Sequence, residues 1–173
     1  MDAFEILKDK SIKKLEARKL IIDLINSGSF SSDDFFDRAD ELNEKQTATF
    51  LEAVESITGQ KESCLGIEYL RFAERYILSA NNSCKREASR VVGNMAALYP
   101  DELDGAIDAL LKNTSDSGTV VRWGSAYALA RIVVLERYKG SGLVDTVREI
   151  YESEQESGVK NQYAKALRRI KAM

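Results

Sequence analysis

Trp123, the only tryptophan in the chain, and Tyr127 stand four residues apart in the stretch VRWGSAYALARI, residues 121–132. Residues four apart share a helix face, so the two rings form a joint platform. Matching positions of two related stretches carry Arg86 with Arg90 and Lys165 with Arg168. Aromatic rings set among cations are the material of binding hot spots, and they also suit stacked bases and phosphates. Other chemistry has few candidates. The chain has no histidine, which removes the commonest general acid or base at neutral pH and a usual zinc ligand. Cys64 and Cys84 lack CxxC spacing and are expected to be buried thiols. GxSxG, Walker and HExxH patterns are absent. The residues therefore point to binding without metal, cofactor or catalysis.

The elements that position these residues are helical. With 44% hydrophobic and 31% charged residues in 173, the chain can bury one sizeable core. Proline occurs once, and the ten glycines mostly separate apolar periodic segments, so no linker or second domain is indicated. Nowhere do about 18 apolar residues run together, which predicts a soluble, cytoplasmic protein with no membrane partner.

Self-similarity then organises the chain. CKREASRVVGNM from Cys84, VRWGSAYALARI from Val121 and VKNQYAKALRRI from Val159 align with steps of 37 and 38 residues. Positions one, five, eight, nine and twelve are apolar or small in each block, and position two is basic: Lys85, Arg122, Lys160. At 100° per residue those five positions fall in one stripe about 100° wide, the mark of a helix with one buried face. A weaker copy, NEKQTATFLEAV, starts at Asn43. Segments such as DELDGAIDALL and GLVDTVREIY lie between the blocks, also with helical spacing, so the unit is a helix pair. The thirteenth position is Ala96, then Val133, then Lys171, as expected of an array ending in a solvent-facing cap.

These blocks resemble the HEAT repeat family, whose short bacterial form carries a second helix reading V-R-x-x-A-A-x-A-L-x-x-I. VRWGSAYALARI follows it closely, and VKNQYAKALRRI follows it with Tyr163 at the first Ala position. The resemblance implies an all-α, right-handed solenoid of about four helix pairs over 31–60, 61–98, 101–137 and 141–173, behind an N-terminal helical cap over 1–30. Nine or ten helices and no sheet are expected.

By analogy with that family, positions three, seven, ten and fourteen line the concave side. The columns read Arg86, Arg90, Gly93, Ala97; then Trp123, Tyr127, Ala130, Val134; then Asn161, Lys165, Arg168, Ala172, and hold no carboxylate. The three block helices sum to +9 and the helices opposite, residues 101–116 and 141–156, to −8. This favours a protein-interaction scaffold binding an acidic or aromatic-bearing segment through Arg86, Arg90, Trp123, Tyr127, Lys165 and Arg168. The alternative is a nucleic-acid binder, resembling the HEAT-like DNA glycosylases without their groove carboxylate. Trp123 has a second reading, as an outlying part of the core lying on the stems of Arg86 or Arg90. Ala128 is expected in the core, Ala130 in water, and Glu154 on the surface.

Overall fold

Polar side chains start several of the helices. Asp2 and Asn43 form reciprocal capping boxes with Glu5 and Gln46, while Asn81 and Ser141 accept backbone N–H groups of Cys84 and Leu143. A computed structural model describes residues 1–172, and all regular structure among them is helical. The helices are α1 (Ala3–Lys8), α2 (Lys14–Asn26), α3 (Ser32–Asp37), α4 (Glu44–Thr58), α5 (Ile67–Glu74), α6 (Asn82–Met95), α7 (Asp104–Asn113), α8 (Thr119–Ile132), α9 (Gly142–Ser153) and α10 (Ser157–Lys171). Single 3-10 turns at Ala39–Glu41 and Pro100–Glu102 complete the set. None of these helices is long and apolar enough to cross a membrane.

The longer helices α2, α4, α6, α8 and α10 stack side by side in one row, each against the next. The shorter α3, α5 and α7 form part of a second row, and α5, α7 and α9 each pack on the long helix that follows them. Burial follows the periodic stripe. Cys84, Ala88, Val91, Val92 and Met95, and likewise Val121, Ser125, Ala128, Leu129 and Ile132, are closed to solvent. In the last block Val159, Tyr163 and Ala166 are buried, while Leu167 and Ile170 are half-buried, since among the described residues α10 has a long helix, α8, on one side only. Lys171 is exposed where Ala96 and Val133 are buried.

The row is filled differently along its length. All six phenylalanines lie between residues 4 and 72 and pack ring on ring, with Phe35 stacked on Phe50 at 4.3 Å and Phe36 on Phe72 at 4.6 Å between centroids. Between α6 and α8 small residues replace them. A Cβ on Gly93 would stand 2.9 Å from the Ala128 Cα, and one on Gly124 would stand 3.1 Å from the Arg86 Cα. Glycine is required there because the two backbones touch. This close approach sets Arg86 and Arg90 directly beside Trp123 and Tyr127.

Three surface expectations are corrected. Cys64 is exposed, and only Cys84 is a buried thiol. Burial pushes the Cys84 thiol up to about 11, so it is the protonated, inert form that the helix row encloses. Ala130 belongs to the core, since neighbouring helices cover position ten. Glu154 is buried too, held by Arg122 at 3.0 Å and by the backbone N–H groups of Gln155 and Glu156.

Candidate functional site

Trp123 and Tyr127 are half-buried on α8, their ring centroids 5.5 Å apart with planes inclined at 33°. The Arg90 guanidinium of α6 lies 5.6 Å from the tryptophan centroid and 5.5 Å from the tyrosine centroid, within cation–π reach of both. The Tyr127 hydroxyl donates to Asn94 Oδ1 at 2.5 Å, and Asn94 Nδ2 donates to the Thr58 hydroxyl of α4 at 3.1 Å. Three helices thus fix one ring. On its other side Arg131 lies 3.4 Å from the Tyr127 centroid and donates to the Tyr127 carbonyl. Trp123 contributes to the core and to the surface at once, which joins its two readings.

The expectation of an acid-free face is overturned. Arg90 pairs with Glu55 of α4 at 2.7 Å and with Glu87 at 3.5 Å, while Arg86 Nε donates to Glu87 at 2.6 Å. Glu87 is only 2% exposed. Burial pushes the Glu55 carboxyl above its ordinary range, and the neighbouring Arg90 pulls it back. Arg90 Nε is buried without a hydrogen-bond partner, while the Arg86 and Arg90 side chains stay partly exposed, so this cluster is half-buried and internally neutralised. Arg90 holds the rings, and Arg86 and Arg90 together satisfy two carboxylates, so their charge is already compensated.

Two of the three cations at position two are occupied in the same way, and the third, Lys160, lies over the Tyr151 ring. Lys85 pairs with Asp116 at 2.6 Å and Arg122 with Glu154 at 3.0 Å. Each of these acids also accepts backbone N–H bonds in the loop that opens the next long helix. Hydrogen bonding from Lys85 holds the Asp116 carboxyl below its ordinary range. At Glu154 burial acts to raise the pKa, but bonds from Arg122 and the backbone outweigh it and the carboxyl is held low. The basic second position is therefore a ladder joining one repeat to the next. The sequence displayed its cations and not their role.

Beyond Tyr127 the face opens into a cleft of about 480 Å³ lined by the ends of α4, α6 and α8, with Arg169 of α10. Asn94, Arg131 and Arg169 line it, and all three occupy position eleven of their blocks. Arg168, at position ten, lines a separate hollow with Tyr151, Leu167 and Ile170 at the end of the array. Lys165 is exposed and makes no ion pair among the described residues. Of the six expected site residues, the fold thus unites Arg86, Arg90, Trp123 and Tyr127 in one cluster and sets Arg168 in another hollow.

Engineered proteins are among the solved structures that share this architecture. Two engineered proteins from the Northeast Structural Genomics Consortium superpose with TM-scores of 0.72, at 14% and 16% identity; the matches cover 98% and 99% of this chain and 79% and 80% of theirs. A designed armadillo repeat protein superposes with a TM-score of 0.69 at 16% identity, covering 97% of this chain and 80% of its own. The fold is an armadillo-like repeat solenoid. No protein-family model matches the sequence, and no curated protein does. Fold alone leaves function open, so the solenoid's role has to be argued from its surface. Among the described residues no three His, Cys, Asp or Glu side chains gather as a metal site. What the inner face offers is a rigid aromatic pair, a neutral ionic cluster behind it and an open cationic cleft beside it.

Proposed function

We propose that this solenoid is a protein-binding scaffold without catalytic activity, and that its long-helix row receives an extended, acidic or aromatic-bearing segment of a partner protein. The observation that carries the reading is the Trp123–Tyr127 pair: two half-buried rings clamped by Arg90, Arg131 and Asn94 at the mouth of the cleft. Rings fixed in advance lose little conformational freedom on binding, which is what makes Trp and Tyr effective anchors. In this reading Trp123 and Tyr127 touch the partner, Arg86 and Arg90 brace them, and Lys165 and Arg168 stand as flanking charge. The closure of Arg86 and Arg90 onto carboxylates weighs against the nucleic-acid alternative, because it takes two cations out of any phosphate track.

Selection of a random peptide display library on the wild-type protein tests the proposal. Enriched peptides are expected to bind Trp123→Ala about 30-fold more weakly, equivalent to about 2 kcal/mol, while the variant still unfolds cooperatively. Peptides that bind the variant as well as wild type, or a failure to enrich any peptide, would show the rings to be packing only.

A further inference from the structure

Two sets of cations around this face differ in their pairing. Lys85, Arg86, Arg90 and Arg122 have each found a carboxylate: Lys85 with Asp116, Arg86 with Glu87, Arg90 with Glu55 and Glu87, Arg122 with Glu154. Lys61, Arg131 and Arg169 line the cleft, and none of them makes an ion pair among the described residues. No carboxylate lines the cleft either. The three come from separate parts of the chain, namely the loop after α4, the last turn of α8 and the last turn of α10.

A helix C-terminus favours a nearby cation, and that accounts for Arg131 and Arg169 being basic. It does not account for their convergence with Lys61 on one concavity. Desolvation depresses the Arg131 pKa, with the like charge of Arg90 acting in the same sense and Glu55 opposing it, while the side chain stays exposed at the cleft. One of its guanidinium nitrogens is fixed on the Tyr127 carbonyl, which orients the planar head and leaves its other nitrogens to a ligand. One side of the remaining wall is apolar, while Thr58, Gln60, Ser63 and Asn94 line the rest. Ala97, Leu98, Val134 and Leu135 line the apolar side, and Leu98 is 50% exposed, a large aliphatic surface left open beside three positive charges.

We infer that this cleft is an anion-accepting subsite that anchors a Glu or Asp of the bound segment between Arg131, Arg169 and Lys61, with an adjoining aliphatic side chain of that segment resting on Leu98 and Val134. The inference rests on the peptide-binding reading and adds to it the identity and position of the anchoring residue. An acidic peptide fits better than a nucleic acid, because the unpaired cations surround one compact cleft with an apolar wall and the adjacent arginines are neutralised. A phosphate backbone needs cations spaced along a track.

The test uses a peptide enriched on the full-length protein and its Glu/Asp→Gln/Asn counterpart, each fluorescein-labelled. Both are titrated against wild type, Arg131→Ser/Arg169→Ser, and Arg169→Ser/Lys61→Ser. Neutralising the peptide is expected to weaken binding at least 10-fold on wild type and less than 3-fold on either variant, because the charge partners are then missing from both sides. The Arg169→Ser/Lys61→Ser protein keeps Arg131 on Tyr127, so its result stands even where the other variant melts early. Enriched peptides without acidic residues, or an equal penalty on all three proteins, overturn the subsite and leave the groove reading intact. Peptides indifferent to Trp123→Ala overturn both. Displacement of the peptide by oligothymidylate at equal concentration assigns the cleft to nucleic acid and overturns the inference as well.

Discussion

Two parts of the same face use arginine in opposite ways. Around Arg90 the side chains converge on Glu55 and Glu87 and the charges cancel in a half-buried cluster; around Arg131 and Arg169, one or two helical turns further on, the guanidinium groups make no ion pair among the described residues and face an open cleft. Both sets stand on equivalent helices in consecutive repeats. What separates them is the ion partner: Glu55 and Glu87 stand within pairing distance of Arg90, and among the described residues no carboxylate pairs with Arg131 or Arg169. A column of cations in a repeat protein is thus a set of separate electrostatic problems, and its members need not share a role.

The contrast can be broken from its structural side first. Ala128→Glu places a carboxylate where Gly93 lies against the α8 backbone, and is expected to cost on the order of 4 kcal/mol or more and to dissolve the α6–α8 contact, read as loss of a cooperative melt. Arg90→Met leaves Glu55 without its partner and Glu87 with only Arg86. We expect a loss of about 3 kcal/mol in urea unfolding, against less than about 1 kcal/mol for Arg169→Ser at the open end. Comparable losses would erase the distinction between the two regions. Gly93→Ala is expected to cost about 1–2 kcal/mol, because the new methyl meets backbone; Gly105→Ala, with nothing within 4 Å, is expected to gain about 0.5 kcal/mol.

Acid sharpens the contrast further. Asp116 and Glu154 have folded-state pKa values below their unfolded ones, so the stability they contribute is fully present above the ordinary carboxylate range and is lost as pH falls through the lower folded values. Glu55 runs the other way: its raised folded pKa favours the fold below the unfolded value, and that advantage disappears as pH rises through the folded one. Melting curves between pH 6 and pH 3 are therefore expected to show a shallower acid decline in Glu154→Gln than in wild type, and a steeper one in Glu55→Gln. These are the smallest effects.

The fold was legible because the 37- and 38-residue steps fix which side of each long helix is buried, and the fifteen residues of that stripe are buried or half-buried. The open strip was harder to read. A helical wheel treats a helix as alone, whereas each long helix here is flanked by two others. Gly93 and Ala130 at position ten are covered by those flanks, and position eleven reaches the cleft instead. The two carboxylates lie outside the four columns for different reasons. Glu55 lies one residue beyond the weak copy that starts at Asn43, whose 41-residue step leaves its register unfixed, and it acts across the row, a direction that periodicity along one helix does not encode. Glu87 sits at position four, beside the columns, and acts within its own helix on Arg86 and Arg90.

Titration of an enriched acidic peptide into Arg131→Ser/Arg169→Ser, with thermal unfolding recorded on the same preparation, tests the account most directly. A loss of affinity of at least 10-fold with an unfolding midpoint close to wild type is the predicted result. Affinity equal to wild type, or affinity that falls only in step with stability, would contradict the claim that recognition lies in the uncancelled charges of the cleft.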